Sequence, residues 1–215
     1  TAGSYQTWCT VTSSGTGNAT LSASFTVNNT SAQRIANITI NVAGLSAVVV
    51  TVTQAAPLLS VSPSNQNVTA ESGSTTFSVV SNTDWTVTSN QSWCTVNSGG
   101  NSSGTISAVY TANSTTSPRT ASITVTTAGL SPIIVTVTQE GMVPQLSVTP
   151  ANQSATSDAG STDFTVTSNV FWTASSDMNW CSVTMTGSGN GMLTASYLEN
   201  QTTSQRTANI TVTVE

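Results

Sequence analysis

Apart from its many serines and threonines, this 215-residue chain offers three cysteines and eight acidic residues as nucleophiles or metal ligands, and it has no histidine. A serine or cysteine nucleophile needs a base beside it, which is usually histidine. Zinc and copper sites need clustered ligands, but Cys9, Cys94 and Cys181 are about one small domain apart. The acids are scattered, which fits neither a calcium loop nor the paired carboxylates of a glycosidase. We therefore predict that the protein is not an enzyme and binds no metal ion or other cofactor.

The cationic side chains are as sparse as the acidic ones. The chain has no lysine, and its three cations are Arg34, Arg119 and Arg206. Nucleic-acid binding needs several cations to displace counterions from phosphates, and docking on anionic lipid needs a basic cluster. No hydrophobic run approaches the 18 or so residues that cross a bilayer. We predict no nucleic-acid partner and no transmembrane segment.

An internal repeat organises the chain. The pair Trp-Cys occurs three times, and each of its tryptophans is followed after 26 residues by an arginine. Successive copies are offset by 85 and 87 residues, the size of a whole small domain. We predict a partial repeat over 1–56 that lacks its N-terminal strands, a complete repeat over 57–141, and a repeat over 142–215 that lacks its C-terminal strand. These are called repeats 1, 2 and 3 below.

Strand patterning predicts an all-β fold of tandem immunoglobulin-like sandwiches without significant helix. Threonine and valine alternate in short runs, and turn residues separate these runs every 8 to 12 residues. In repeat 2 we expect seven strands, with Pro63 marking a sheet edge or a switch between sheets. The parity of the runs predicts that Phe25, Trp85 and Trp172 point inward, together with Val48 and Val50 of repeat 1.

Two sets of residues recur at equivalent positions and invite a structural explanation. One cysteine per repeat is expected to be a buried small hydrophobe, the alternative being a reactive or intermolecular thiol. Each arginine is expected to bond backbone carbonyls where its strand begins, or to lie over a tryptophan face. We therefore interpret Arg34, Arg119, Arg206, Cys9, Cys94 and Cys181 as structural.

Aromatic side chains are the candidates for glycan binding, because sugar rings stack on exposed aromatic surfaces. Trp93 and Trp180 have parity opposite to their buried neighbours, so they either cap one end of the sandwich or are exposed. Phe171 adjoins the inward Trp172 and should point outward, and Tyr5 has no equivalent in the other repeats. The candidate glycan contacts are therefore Phe171, Trp180, Trp93 and Tyr5.

Several motifs in repeat 2 carry a family resemblance. They are LSVSP at 59–63, FSVVSNTDWTV at 77–87, SWCTV at 92–96, PRTASITVT at 118–126 and VTVTQ at 135–139. In this order they resemble the BACON family, immunoglobulin-like modules found mostly in Bacteroidetes beside carbohydrate-active enzymes, and also in gut phage proteins. The resemblance implies an extracytoplasmic module, once proposed to bind glycans or mucin and often regarded as a spacer. It implies no catalytic residues.

These observations favour a non-enzymatic extracellular or cell-surface protein, a segment of a stalk, filament or fibre, including a phage fibre. The alternative is a carbohydrate- or mucin-binding adhesive module whose partners are surface glycans. A third expectation concerns self-association, because repeat 3 without its last strand would expose an apolar groove and an unpaired edge. A second copy would then bind by strand addition, or copies would pack end to end.

Overall fold

The computed structural model describes residues 1–214, and in that range it contains 21 β-strands and no helix. The chain divides into two compact units, Thr1–Gly141 and Met142–Glu215. The first unit holds repeats 1 and 2, and the second unit holds repeat 3. The predicted all-β class is confirmed.

Repeat 1 forms five short strands. They are β1 Ala2–Ser4, β2 Cys9–Val11, β3 Ala23–Phe25, β4 Arg34–Ile40 and β5 Val48–Gln54. Strands β1, β4 and β5 form one antiparallel sheet, and β2 pairs with β3. Since side chains alternate between the faces of a strand, Cys9, Ala36 and Ile38 are buried in a small core.

Repeat 2 forms a complete sandwich of nine strands. They are β6 Leu59–Ser62, β7 Asn65–Val68, β8 Gly73–Ser81, β9 Trp85–Ser89, β10 Cys94–Val96, β11 Gly99–Gly100, β12 Gly104–Tyr110, β13 Arg119–Thr127 and β14 Ile133–Gln139. One sheet has the order β10-β12-β8-β6, and the other has the order β11-β9-β13-β14-β7. The core includes Phe77, Trp85, Ile106, Ile123 and Val137, all buried.

The first strand of repeat 2 is divided at Pro63. The segment before it, β6, pairs antiparallel with β8 in the four-stranded sheet. The segment after it, β7, pairs in parallel with β14 in the five-stranded sheet. The predicted switch between sheets is confirmed, since proline has no N–H to donate to a ladder. This division, together with the two-residue strand β11 beside β9, explains why nine strands are observed and not seven.

The predicted core of repeat 1 was partly wrong. Phe25, Val48 and Val50 were expected to point inward, but their side chains are exposed. The residue of repeat 2 that corresponds to Phe25 is Tyr110, which is buried opposite Gly73 of β8. Residues 1–56 contain no strand that corresponds to β8, so the inner faces of β3 and β5 have little to pack against.

Repeat 3 forms seven strands. They are β15 Leu146–Thr149, β16 Gly160–Ser168, β17 Phe171–Ser176, β18 Cys181–Val183, β19 Thr186–Ser188, β20 Gly191–Tyr197 and β21 Ile210–Val214. The sheet orders are β15-β16-β20-β18 and β19-β17-β21. Phe164, Val166, Trp172 and Leu193 are buried in its core. In this described range β21 pairs only with β17, whereas its counterpart β13 pairs with both β9 and β14.

Candidate functional site

Each repeat holds its arginine over the ring of its Trp-Cys tryptophan. The guanidinium carbon lies close to the ring centroid, at 4.3 Å for Arg34 over Trp8, 4.3 Å for Arg119 over Trp93 and 4.2 Å for Arg206 over Trp180. A cation at this distance from an aromatic face is attracted by the ring quadrupole. One face of each of these three tryptophans is therefore covered by a side chain of its own repeat.

The same guanidinium groups also bond backbone carbonyls. Nη2 of Arg119 donates to the carbonyls of Thr111 at 2.8 Å and Ala112 at 3.0 Å, just after β12. The carbonyl of Trp93 accepts from the backbone N–H of Thr111, which places the ring beside these acceptors. Arg34 bonds the corresponding carbonyls of repeat 1 in the same way. The two roles that the sequence left open for the arginine therefore occur together.

A buried glutamine completes the arrangement in repeat 2. Nε of Arg119 donates to Oε1 of Gln139 at 2.9 Å. Gln139 is fully buried, and its Nε2 donates to the carbonyls of Ala70, Glu71 and Thr111. In repeat 1, Gln54 accepts from the arginine at 2.8 Å but donates to one carbonyl only. Sequence reasoning missed this glutamine, although it ends the recurring VTVTQ segment.

An asparagine loop was also missed. Asn28, Asn113 and Asn200 each stand six residues before the arginine of their repeat. Each Oδ1 accepts from the backbone N–H and the hydroxyl of the threonine two residues later, and each Nδ2 donates to the carbonyl four residues later. The constant spacing from the arginine was the available signal, although Asn-x-Ser/Thr triplets are frequent in a chain of this composition.

The candidate glycan contacts have different surroundings. Tyr5 is 91% exposed after β1, and Phe171 is 49% exposed at the first position of β17. Trp93 and Trp180 are half-buried beneath arginines. In repeat 3, Phe171 begins the six-residue strand β17, which is about 17 Å long, and Trp180 follows the other end of this strand. The structure does not bring these two rings together into one platform.

The tryptophans and cysteines that were expected to be buried lie in the cores. Trp85 and Trp172 are buried, and each indole Nε1 donates to a backbone carbonyl, that of Ser102 at 2.8 Å and that of Gly189 at 3.0 Å. Cys9, Cys94 and Cys181 are buried thiols. Burial raises the pKa of the Cys94 thiol, against smaller lowering effects of a hydrogen bond from Ser89 and the charge of Arg119. A raised pKa disfavours the reactive thiolate.

Repeat 3 contains a groove of about 810 Å³ beside β21. Its walls carry apolar side chains from both sheets together with the Arg206 stack, and they include Phe164, Leu193, Tyr197, Ile210 and Val212. In repeat 2 the corresponding space is filled by β14 and β7.

Chemical groups that would hold an ion are dispersed. Within residues 1–214 no three His, Cys, Asp or Glu side chains lie close enough together to bind a metal ion. In the same range no helix has the length and hydropathy needed to cross a bilayer.

Comparisons with known families identify similarity over nearly the whole chain. The family model described as viral BACON domain matches 58–142 and 145–215, and the BACON model described as putative binding domain, N-terminal, matches 1–55. No match among curated proteins was found.

Solved structures with partial similarity to this chain include a xyloglucanase, an intimin domain and a desmocollin ectodomain. A Bacteroides ovatus GH5 xyloglucanase is 26% identical over 40% of this chain and 19% of that chain, with a TM-score of 0.38. The D00–D0 domain of intimin is 16% identical over 74% of this chain and 100% of that chain, with a TM-score of 0.30. Human desmocollin-1 is 10% identical over 98% of this chain and 48% of that chain, with a TM-score of 0.33. The chain thus spans about a fifth of the length of the xyloglucanase.

Proposed function

The chain belongs to the BACON family of domains, and from this premise we propose that it is a non-enzymatic extracellular spacer, a segment of a stalk or fibre. The observation that carries the proposal is the direction of two strands in repeat 2. Because β7 and β14 run parallel, the chain enters the module at one end and leaves it at the other. Modules connected in this way add length when they are repeated.

The contacts of the three arginine side chains support the same proposal. All three arginines are engaged by rings and carbonyls of their own repeats. The side chains that a binding site for anionic partners would use are therefore occupied in holding each module together. An arginine that makes the same contacts at the equivalent position of every repeat is expected to have a structural role.

Insertion of further copies of 57–141 between repeats 2 and 3 tests the spacer. Each copy should add a constant 25 to 35 Å to the maximum dimension in solution scattering, the length of a seven-to-nine-residue strand plus a linker. The control is a chain with unstructured Gly/Ser inserts of equal length, whose increments should fall with each addition because the end-to-end distance of a flexible chain grows as about the square root of its length. Increments that fall in the same way for added copies of 57–141 would contradict a stalk.

The second candidate function is glycan binding, and the exposed ring of Phe171 favours it. Repeat 2 has Asp84 at the equivalent position, so this ring is particular to repeat 3. Glycan arrays and mucin pull-downs with the full chain would show micromolar binding that Phe171→Ala abolishes and Phe171→Trp preserves. Tyr5→Ala and Trp180→Ala test the other candidate rings, and Thr173→Ala on the same strand is the matched control. Absence of binding by the unaltered chain would remove this candidate.

Strand addition is a third proposal, supported by the groove beside β21. The occupant would be a strand with the pattern of β14, whose glutamine would reach Arg206 as Gln139 reaches Arg119. A synthetic peptide with the sequence of 130–140 should raise the melting temperature of the chain. The same peptide with alanine in place of its glutamine should bind more weakly and raise the melting temperature less. Equal rises with the two peptides would contradict a register that places the glutamine beside Arg206.

A further inference from the structure

The linker between repeats 1 and 2 is held by an asparagine from each repeat. On the repeat 1 side, Nδ2 of Asn28 donates to the carbonyl of Ala55 at 2.9 Å. On the repeat 2 side, Nδ2 of Asn82 donates to the carbonyl of Ala56 at 3.0 Å, and its Oδ1 accepts from the N–H of Leu58 at 2.7 Å. Two consecutive carbonyls are thus bound by two different modules.

Two further features restrict this linker. Pro57 lies between the clamped residues and is buried, and proline fixes one backbone dihedral of the linker. Gly129, in the turn between β13 and β14, lies against the backbone of Asn29 in repeat 1. A Cβ added to Gly129 would lie 2.7 Å from the carbonyl carbon and oxygen of Asn29. The loop that carries Asn28 therefore also contacts the hairpin turn of the next repeat.

The clamping elements recur along the chain. Asn113 donates to the carbonyl of Glu140 at 3.0 Å, as Asn28 does to Ala55. Asn169 donates to the carbonyl of Val143 at 2.9 Å and accepts from the N–H of Gln145 at 2.8 Å, as Asn82 does with its own linker. Equivalent side chains thus bind the residues that follow one module and the residues that precede the next.

We propose that these elements form an inter-repeat recognition surface, which fixes repeat 2 against repeat 1. The surface of the leading repeat is its Asn-x-Thr loop, and the partner is the following repeat, presenting an asparagine and a glycine hairpin turn. An unclamped linker of this length would behave as a flexible tether between independent domains. The inference holds equally if the array displays a glycan site, because it concerns only how neighbouring modules meet.

Limited proteolysis of the full chain with elastase tests the clamp, because elastase cuts after alanine and the Ala55–Ala56 bond lies in the linker. The variants Asn82→Ala and Gly129→Ala should raise the rate of cutting at this bond by about tenfold. The first removes two hydrogen bonds of the junction, the second places a Cβ too close to the backbone of Asn29, and both leave the linker open more of the time. Asn82→Asp keeps the acceptor for Leu58 and should give an intermediate rate. Mass spectrometry of the fragments identifies the bond that is cut.

Matched controls separate the junction from the modules. Asn169→Ala removes the equivalent clamp of repeat 3 and should leave cutting at Ala55–Ala56 within about twofold of the unaltered chain. Gly44 has the same φ of +83° as Gly129, with no described atom within 4 Å of an added Cβ. Gly44→Ala therefore imposes the backbone strain without the contact with Asn29. The proposal would be overturned if elastase cut the Ala55–Ala56 bond equally fast in Gly44→Ala and Gly129→Ala. Equal rates of cutting in Asn169→Ala and Asn82→Ala would overturn it as well.

Distance measurement between the two repeats provides a second readout. Thr10 and Thr95 are exposed and occupy equivalent positions beside buried cysteines, so cysteines introduced there can be spin-labelled selectively. The unaltered junction should give one narrow distance distribution, and Asn82→Ala should broaden it at least twofold. A broad distribution in the unaltered junction would overturn the proposal irrespective of the proteolysis result.

Discussion

Arg119 lies 4.3 Å above the ring of Trp93, and the two residues adjoin different sheets of repeat 2. Trp93 precedes β10 of the four-stranded sheet, and Arg119 opens β13 of the five-stranded sheet. The carbonyls of Thr111 and Ala112 that accept from Arg119 follow β12, on the same side as the ring. The arginine therefore joins one sheet to the other at the end of the sandwich.

Replacement of Arg119 by alanine should destabilise repeat 2 by about 2 to 3 kcal/mol, because both the stack on Trp93 and the bonds to two carbonyls are lost. Arg119→Lys keeps the charge but not the fork of donors, and it should cost roughly half as much. Urea unfolding followed by tryptophan fluorescence measures both changes. The control is Thr120→Ala, on the exposed face next to the arginine. If Arg119→Ala lowered the free energy of unfolding no more than Thr120→Ala does, the structural role of the arginine would be contradicted.

Gln139 should be the more sensitive of the two equivalent glutamines. Gln139→Ala removes three donated hydrogen bonds and the one accepted from Arg119, and it leaves a cavity at a fully buried position, so it should cost about 2 to 4 kcal/mol of the free energy of unfolding. Gln54→Ala removes one donated bond and the bond accepted from Arg34 at a half-buried position, and it should cost about 1 kcal/mol. Chemical denaturation of the two variants under identical conditions provides the comparison. Equal losses would show that the burial of Gln139 has no energetic consequence.

Asp177 should make repeat 3 sensitive to acid. Hydrogen bonds from the side chain and then the backbone of Asn209 lower the pKa of Asp177. A lowered folded-state pKa gives stabilisation that is present above the unfolded pKa of about 3.9 and is lost as the pH falls through the folded value. Asp177→Asn should flatten this dependence between pH 5 and 2, as read from melting temperatures.

The control for this pH effect is already present in repeat 2. There Asn90, at the position equivalent to Asp177, accepts the backbone N–H of Ser122 at 2.8 Å through a group that does not titrate. Asn90→Asp should introduce an acid-dependent contribution that repeat 2 lacks. A pH profile that Asp177→Asn leaves unchanged would assign the acid sensitivity to other carboxylates.

The three thiols should react only when their repeats open. All are buried, and burial raises the pKa of the Cys94 thiol, so little thiolate is present at neutral pH. A chromogenic disulfide reagent should therefore label the folded chain at least a hundredfold more slowly than the chain in denaturant. Rapid labelling of Cys94 without loss of structure would contradict this expectation.

The sequence predicted the sandwich because its information is local and repeated. Alternating apolar residues define strand faces, and Pro63 marks the sheet switch by its missing N–H. The Trp-to-Arg spacing of 26 residues located the braces, though it did not decide whether ring or carbonyls would receive the cation. Ring and carbonyls both contact the cation. The carbonyl of Trp93 accepts a hydrogen bond from the N–H of Thr111, and the carbonyl of Thr111 accepts one from Arg119.

The junction could not be predicted in the same way. The asparagines that hold the linker look like ordinary turn residues, since their partners are backbone carbonyls that every sequence provides. The exposure of Phe25 was also unpredictable from strand parity, because parity identifies the inner face of a strand but not whether another strand covers it.

The parallel pairing of β7 with β14 has a mechanical consequence. The pairs run from Asn65 opposite Thr136 to Val68 opposite Gln139. Tension applied through the two ends of the module pulls these strands in opposite directions along their own axes. Their hydrogen bonds are then loaded in shear and must yield together, whereas an antiparallel hairpin pulled from its open end would unzip one bond at a time. A tether that bears force, such as one exposed to fluid flow, would gain resistance from this connection of strands.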